Sequence, residues 1–218
     1  EYGKTLIDHI QAYLYAKREW RLREENAFTP ALCNRIDRNT GGIVIAAKTA
    51  EALRVMNQKI KDRALNKYYL CVVQGRMTPP KGKLEGFLFK DEVKKQVYVT
   101  DRPQPGAKTA VTLYRTLASE HGLSLVECGL ITGRTHQNRA QFAHAGHPLI
   151  GDGKYGRERE NKKYGRHGQA LYSYRLEFHF TTDAGPLAGL DGKSFQVEDV
   201  DFVSEYFPNY HWKETEAH

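Results

Sequence analysis

The sequence has only three cysteines, Cys33, Cys71 and Cys128, and no two of them form a C-x-x-C pair. So few thiols exclude a disulfide framework. Cys71 and Cys128 lie in apolar runs, where a free cysteine packs as a small hydrophobe. A reducing compartment, the cytoplasm, is the expected setting. No stretch approaches the roughly 18 consecutive apolar residues of a membrane helix, so a membrane span is not expected. The chain does not open on a basic segment followed by an apolar one, so neither is a secretory signal. Fixed-period repeats and low-complexity tracts are missing as well. Position 1 is Glu1 rather than Met, which makes an upstream segment in the gene product an expectation.

What is present is a 218-residue chain with 40% hydrophobic and 27% charged residues. That is an ordinary globular composition, long enough for a substantial core. The net charge is +7 and is unevenly spread. Residues 191–218 hold 2 basic and 7 acidic residues, a balance of −5, which leaves +12 for residues 1–190. A body that basic suits a polyanionic partner, most simply nucleic acid, although surface charge also serves solubility.

Residues 5–17 predict a helix, with Thr5 as cap and Asp8 at the capping-box spacing. Residues 42–47, GIVIAA, have the length of a short strand. Thr49 opens a second helix with Leu53, Met56 and Ile60 on one face. Residues 67–75 read as a buried strand. Further strands are expected near 84–89, 95–100, 109–117, 122–131 and 170–181. A helix is expected from Thr135 to Ala145, ended by Gly146 and Pro148. Residues 151–168 read as a glycine-rich basic loop with six Lys and Arg against three acids. The acidic tail brings Tyr206, Phe207, Tyr210 and Trp212, expected to pack on the body. Many short strands with few helices indicate an α+β fold on a mostly antiparallel sheet.

Three constellations carry possible chemistry. In the first, Arg35-Ile36-Asp37-Arg38-Asn39-Thr40-Gly41-Gly42, one carboxylate stands between two arginines. A nearby cation keeps an aspartate ionised, able to act as nucleophile or base, though for R-x-D alone a structural ion pair is the favoured reading. The second is Gly133-Arg134-Thr135-His136-Gln137-Asn138-Arg139, a polar helix start whose N–H groups and arginines suit anions. His136, His144 and His147 raise a metal site, but their spacings of 8 and 3 match no helix-face pair, so no metal is expected. His144 and His147 are expected to be hydrogen-bonded at the helix end. The third is Lys67-Tyr68-Tyr69, where adjacent tyrosines of a strand face opposite ways, and one can stack on a base while the other packs.

Together these motifs resemble the RluA-type family of pseudouridine synthases. The first matches R-[LI]-D-x-x-T-[SG]-G, the third K-x-Y, and the second G-R-T-H-Q-x-R, continued by AHAGHPLIGDGKYG over 143–156. QALYSYRLEF, 169–178, resembles the strand that follows. Asn138 and Gln141 depart from the family pattern. The resemblance spans about residues 5–180 and implies a single catalytic domain over residues 1–218. That domain has a bent mixed sheet and flanking helices. It would lack its first N-terminal strand, and no S4-type RNA-binding domain is recognisable.

The resemblance implies isomerisation of uridine to pseudouridine in structured RNA, rRNA or tRNA, without metal or organic cofactor and with no obligate protein partner. By the same resemblance Asp37 is the catalytic aspartate and Arg139 pairs with it. Tyr69 stacks on the target base, and Arg35 helps hold the opened RNA. Arg38, Arg134, His136 and Gln137 are the expected RNA contacts. A non-catalytic RNA-binding protein and a metal-dependent nuclease or hydrolase remain as other classes.

Overall fold

In a computed structural model, residues 5–21 and 28–211 are described. In chain order the elements are α1 (Leu6–Ala16), β1 (Ala31–Leu32), β2 (Gly41–Gly42), β3 (Ala46–Ala47), α2 (Ala50–Lys61), β4 (Leu65–Gln74), β5 (Lys81–Asp91) and β6 (Gln96–Thr100). They continue with β7 (Lys108–Glu120), β8 (Leu123–Leu130), α3 (Gln137–His144), α4 (Glu158–Tyr164), β9 (Leu171–Phe178), a 3-10 turn (Gly185–Leu190), β10 (Ser194–Gln196) and α5 (Asp201–Tyr206). The chain divides into two compact units. The smaller comprises the chain through Ile36, Val44–Leu65 and Glu177–Ser194; the larger comprises Asp37–Ile43, Asn66–Leu176 and Phe195 onward.

In the smaller unit, α1 begins as its sequence predicts. The Thr5 backbone N–H donates to Asp8 Oδ2 at 2.7 Å, and the Thr5 hydroxyl accepts from the Asp8 N–H, closing a capping box. Thr49 caps α2 through the Ala52 N–H at 3.1 Å, and Met56 faces inward. Lys59 is a departure from simple amphipathicity, being only 2% exposed. Its ammonium donates to the carbonyl and hydroxyl of Thr182 at 2.6 and 2.7 Å and lies 5.1 Å from the Phe180 ring centre. Those contacts replace the water it gives up.

The GIVIAA run is not one strand. Gly41–Gly42 pairs in parallel with β9, whereas Ala46–Ala47 pairs antiparallel with β1. The ends of the run have different partners, so no single ladder can form along it.

The sheet runs β10-β9-β4-β8-β7-β5-β6, with β2 beside β9. From β4 through β6 every pairing is antiparallel. This is the mixed, mostly antiparallel α+β architecture expected. Alternation on β4 divides the core. Leu70 and Val72 join Leu125, Ile150, Tyr174, Phe202 and Phe207, while Tyr69, Cys71 and Val73 join Val126, Cys128, Phe142 and Leu149. Cys71 and Cys128 are fully buried free thiols, as their apolar settings predict.

Phe207 is buried, and Tyr206 and Tyr210 pack against the first of these clusters, as expected of the tail. Trp212 lies outside the described residues.

The stretch 151–168 is not a loop throughout, because it contains α4. Acids Glu158 and Glu160 occupy its first turn and Lys162 and Lys163 its last, which complements the helix dipole, and Gly165 ends it in a left-handed conformation. Among the described residues no helix is long and apolar enough to cross a membrane.

Candidate active site

Within the first constellation, Asp37 to Thr40 form a tight turn in the larger unit. The Thr40 N–H donates to the Asp37 carbonyl at 3.0 Å. The Gln169 amide donates to the Arg38 carbonyl at 2.6 Å and to the Thr40 hydroxyl at 3.0 Å. Gly42 lies at φ +114°, and a Cβ there would collide with the Ser173 backbone, so only glycine can pair so closely with β9. The turn is thereby pinned on both sides, with Arg38 and Asn39 at its tip and Asp37 at its first position.

The second constellation explains its own density of polar residues. Helix α3 is buried from Gln137 to Phe142, so its amides must find protein partners. Gln137 donates to the Val111 carbonyl and the Thr112 hydroxyl at 3.1 and 2.9 Å. Its Oε1 accepts from the Thr132 hydroxyl and the Arg134 N–H at 2.7 and 3.0 Å. Gln141 donates to the carbonyls of Leu84 and Ala110, both at 3.1 Å, and accepts from the Thr112 hydroxyl at 2.7 Å. Asn138 Oδ1 lies 3.3 Å from the same hydroxyl. The two departures from the family pattern therefore serve a buried network joining α3 to the sheet.

This arrangement aims Arg139 at two carboxylates. Its Nε and Nη2 donate to Asp152 Oδ2 and Oδ1 at 2.7 and 2.9 Å, a two-point grip. Its Nη1 reaches Asp37 Oδ2 at 3.4 Å. Asp152 is fully buried, and its Oδ1 also accepts the N–H groups of Lys154 and Tyr155 at 2.9 and 3.1 Å. Burial would raise the Asp152 pKa, but the Arg139 bonds and charge, with these N–H groups, outweigh it and hold it below the usual carboxylate range. Burial would lower the Arg139 pKa, and the two aspartates reverse that, so the guanidinium stays charged.

His136 precedes α3 in a left-handed conformation, φ 55°. Its Nδ1 lies 2.8 Å from the Tyr155 hydroxyl, and its Nε2 lies 4.0 Å from Asp37 Oδ2. Burial lowers its pKa, aided by Arg139 and Lys154 and opposed by Asp37 and Asp152, which favours the neutral ring. Tyr155 stands beside both neighbours, with its ring centre 5.6 Å from that of His136 and 5.2 Å from the Arg139 guanidinium carbon.

An open cleft of about 760 Å³ adjoins these groups, lined among others by Arg38, His136, Arg139, Lys154, Lys162 and Arg166. Its cationic lining suits a polyanion. Tyr69 lies in the second core cluster, 9% exposed, close enough to feel the Asp37 charge. Burial first, then Asp37, raises its hydroxyl pKa against the effect of a Ser173 hydrogen bond.

The larger unit thus brings together Asp37, Arg38, Tyr69, His136 and Arg139. Arg134 is exposed, and its Nε donates to the Thr109 carbonyl at 3.2 Å. Gln137 faces inward, with both ends of its amide engaged within the protein rather than presented to a ligand. Arg35 is exposed and belongs to the smaller unit.

Asp152 and Tyr155 were not singled out from the sequence. The available signal was the G-D-G-K-Y string downstream of α3, which the basic residues around it obscured. His144 faces Asp101 at 3.2 Å and His147 faces the Gln74 carbonyl at 2.9 Å, hydrogen-bonded as expected at a helix end. Among the described residues no three or more His, Cys, Asp or Glu side chains are grouped to hold a metal ion.

The family model described as RNA pseudouridylate synthase matches residues 7–144. The ribosomal large subunit pseudouridine synthase D of Borreliella burgdorferi is 33% identical over 172 residues, 79% of this chain and 50% of that protein. The ribosomal large subunit pseudouridine synthase C of Vibrio vulnificus is 33% identical over 164 residues, 75% of this chain and 50% of that protein. The chain therefore spans about half the length of these curated relatives. Among solved structures, human RNA pseudouridylate synthase domain containing 4 aligns with a TM-score of 0.69 at 20% identity, covering 92% of this chain and 82% of that one. That likeness shows a shared fold.

Proposed function

The chain belongs to the RNA pseudouridylate synthase family, and from that membership we propose that it isomerises uridine to pseudouridine in structured RNA, rRNA or tRNA. Residues 1–218 serve as the catalytic domain, acting in the cytoplasm without a metal, an organic cofactor or an obligate protein partner. The observation that carries this proposal is the bonding of Asp37. Its only direct hydrogen bond from a described side chain comes from Arg139, on Oδ2, and this leaves Oδ1 open for reaction.

The isomerisation breaks the bond between N1 and C1′, turns the uracil, and joins C5 to C1′. A proton leaves C5 and one is gained at N1, so no redox partner is needed. Asp37 either attacks C1′ or removes a ribose proton to give a glycal. Either role needs an ionised carboxylate, and Arg139 Nη1 stands 3.4 Å from its Oδ2. The uridine must leave its stack, which costs a few kcal/mol. The cationic cleft, with Arg38 and Arg134, holds the backbone, Arg35 is a separate RNA contact of the smaller unit, and His136 meets the opened nucleotide. Tyr69 offers a ring to the extruded base.

Mapping pseudouridine in rRNA and tRNA from cells with the intact gene, a deletion and Asp37→Ala tests this. A site lost in both altered strains is the expected result. Purified protein that binds RNA yet converts no uridine in bulk RNA lacking its own modifications would overturn it in favour of a binding role.

A further inference from the structure

We propose that Tyr155 is a positioning residue that holds His136 as its Nε2–H tautomer, with that N–H directed at Asp37. Only the catalytic consequence rests on the proposed isomerisation; the tautomer itself does not. The Tyr155 hydroxyl oxygen accepts the Val97 N–H at 2.9 Å and lies 2.8 Å from His136 Nδ1. Among the described residues it has no other hydrogen-bond partner. Were Nδ1 protonated, two donors would converge on that oxygen, and the hydroxyl proton would have no protein acceptor. An unmatched, partly buried hydroxyl is costly. With Nδ1 bare, Val97 donates to Tyr155, Tyr155 donates to His136, and every group is matched. The remaining proton then sits on Nε2.

The charges around the ring favour the same state. His136 faces Asp37 and Asp152, Arg139 and Lys154, and the Tyr155 hydroxyl. An Nε2 lone pair directed at the Asp37 carboxylate would be repelled, whereas an N–H is attracted. Nε2 lies 4.0 Å from Oδ2, the same oxygen that Arg139 approaches. A movement of about 1 Å on substrate binding would complete a second hydrogen bond there. Both donors would then hold Oδ2 and leave Oδ1 to react.

Tyr155 is itself placed by Asp152, whose Oδ1 accepts its backbone N–H. One buried carboxylate thus sets both Arg139 and, through Tyr155, His136. Val97 belongs to β6, so this hydroxyl also ties the β5–β6 hairpin to the site.

The test is a two-bond 1H–15N spectrum of uniformly labelled free protein near pH 7.5, with the His136 signals assigned by His136→Gln. The expected result is an Nε2–H pattern in the wild type. In Tyr155→Phe, which keeps the ring but removes the hydroxyl, a mixed tautomer population and a raised His136 pKa are expected. Turnover should fall about tenfold with KM within about twofold, and the acid limb of the pH profile should move upward. An Nδ1–H pattern in the wild type would overturn the proposal without needing any variant. An unchanged tautomer and titration in Tyr155→Phe would also overturn it. An Nε2–H pattern in a protein that converts no RNA would support the tautomer and refute the isomerase activity.

Discussion

Glu127 on β8 and Asp37 in the turn before β2 are both carboxylates beside arginines in the larger unit, but their remaining bonding capacity differs. Glu127 is 8% exposed and engaged on both oxygens. Oε1 accepts from Arg115 at 2.9 Å; Oε2 accepts from Arg175 at 3.3 Å and from the Tyr174 hydroxyl. Arg175 in turn covers the Tyr68 ring at 4.1 Å. Asp37 has one oxygen within 3.4 Å of Arg139, and its side chain keeps 23% of its exposure. An arginine beside a carboxylate therefore says little about its task. The task depends on whether the acceptor positions are filled. Glu127 and its partners link side chains of β7, β8 and β9, whereas Asp37 takes a single described side-chain hydrogen bond, on Oδ2.

The strongest way to break this comparison is a matched pair of charge removals. Asp37→Asn should lower turnover by about a thousandfold or more, measured by tritium release from RNA labelled at uridine C5, with little change in melting temperature. Glu127→Gln should do the reverse, costing about 3 kcal/mol in urea unfolding while the folded enzyme keeps turnover within about threefold. Equal activity losses in both would erase the distinction.

Asp152→Asn lies between these extremes. Loss of the two-point grip on Arg139 should lower turnover about a hundredfold, and an uncompensated buried cation should cost about 3 kcal/mol. Restored turnover in Asp152→Glu, with the charge returned, would separate positioning from folding.

Tyr69 sharpens the contrast between the faces of β4. Tyr69→Ala should weaken steady-state efficiency about tenfold to hundredfold per folded molecule, whereas Tyr69→Phe keeps the ring and should stay within about threefold. Equal losses would assign the role to the hydroxyl and its Ser173 contact.

The smallest effect is on acid stability. The folded-state pKa of Asp152 is lowered, so its contribution is present above the ordinary aspartate pKa and is lost as pH falls through the lowered value. Asp152→Asn should flatten the fall in unfolding free energy below about pH 4, measured by urea titrations at stepped pH.

Much of the fold was legible locally. The Thr5–Asp8 box, the Thr49 cap and the alternating run on β4 each depend on neighbours within a few residues, and each formed as expected. The strands expected near 109–117 and 122–131 formed as β7 and β8, joined at His121-Gly122. GIVIAA misled because apolar length cannot tell how many partner strands a run will have. The stretch 151–168 misled because its glycines outweighed the charge order that supports α4. Nothing local marks Lys59 for burial, because its acceptor lies 123 residues away in the sequence.

By itself the sequence determined which local conformations were allowed and which chemical groups were available. Gly42 could pair closely with β9, the three motifs supplied Asp37, Tyr69 and Arg139, and the basic body suited a polyanion. Only the tertiary structure decided how those groups share their bonds. Asp37 and Arg139 are 102 residues apart, and the sheet and α3 set their separation at 3.4 Å. The same packing gave the stronger grip on Arg139 to Asp152. A hydrogen bond falls away within a few tenths of an ångström, so which carboxylate is satisfied and which stays open is settled by distances that exist only in the folded chain.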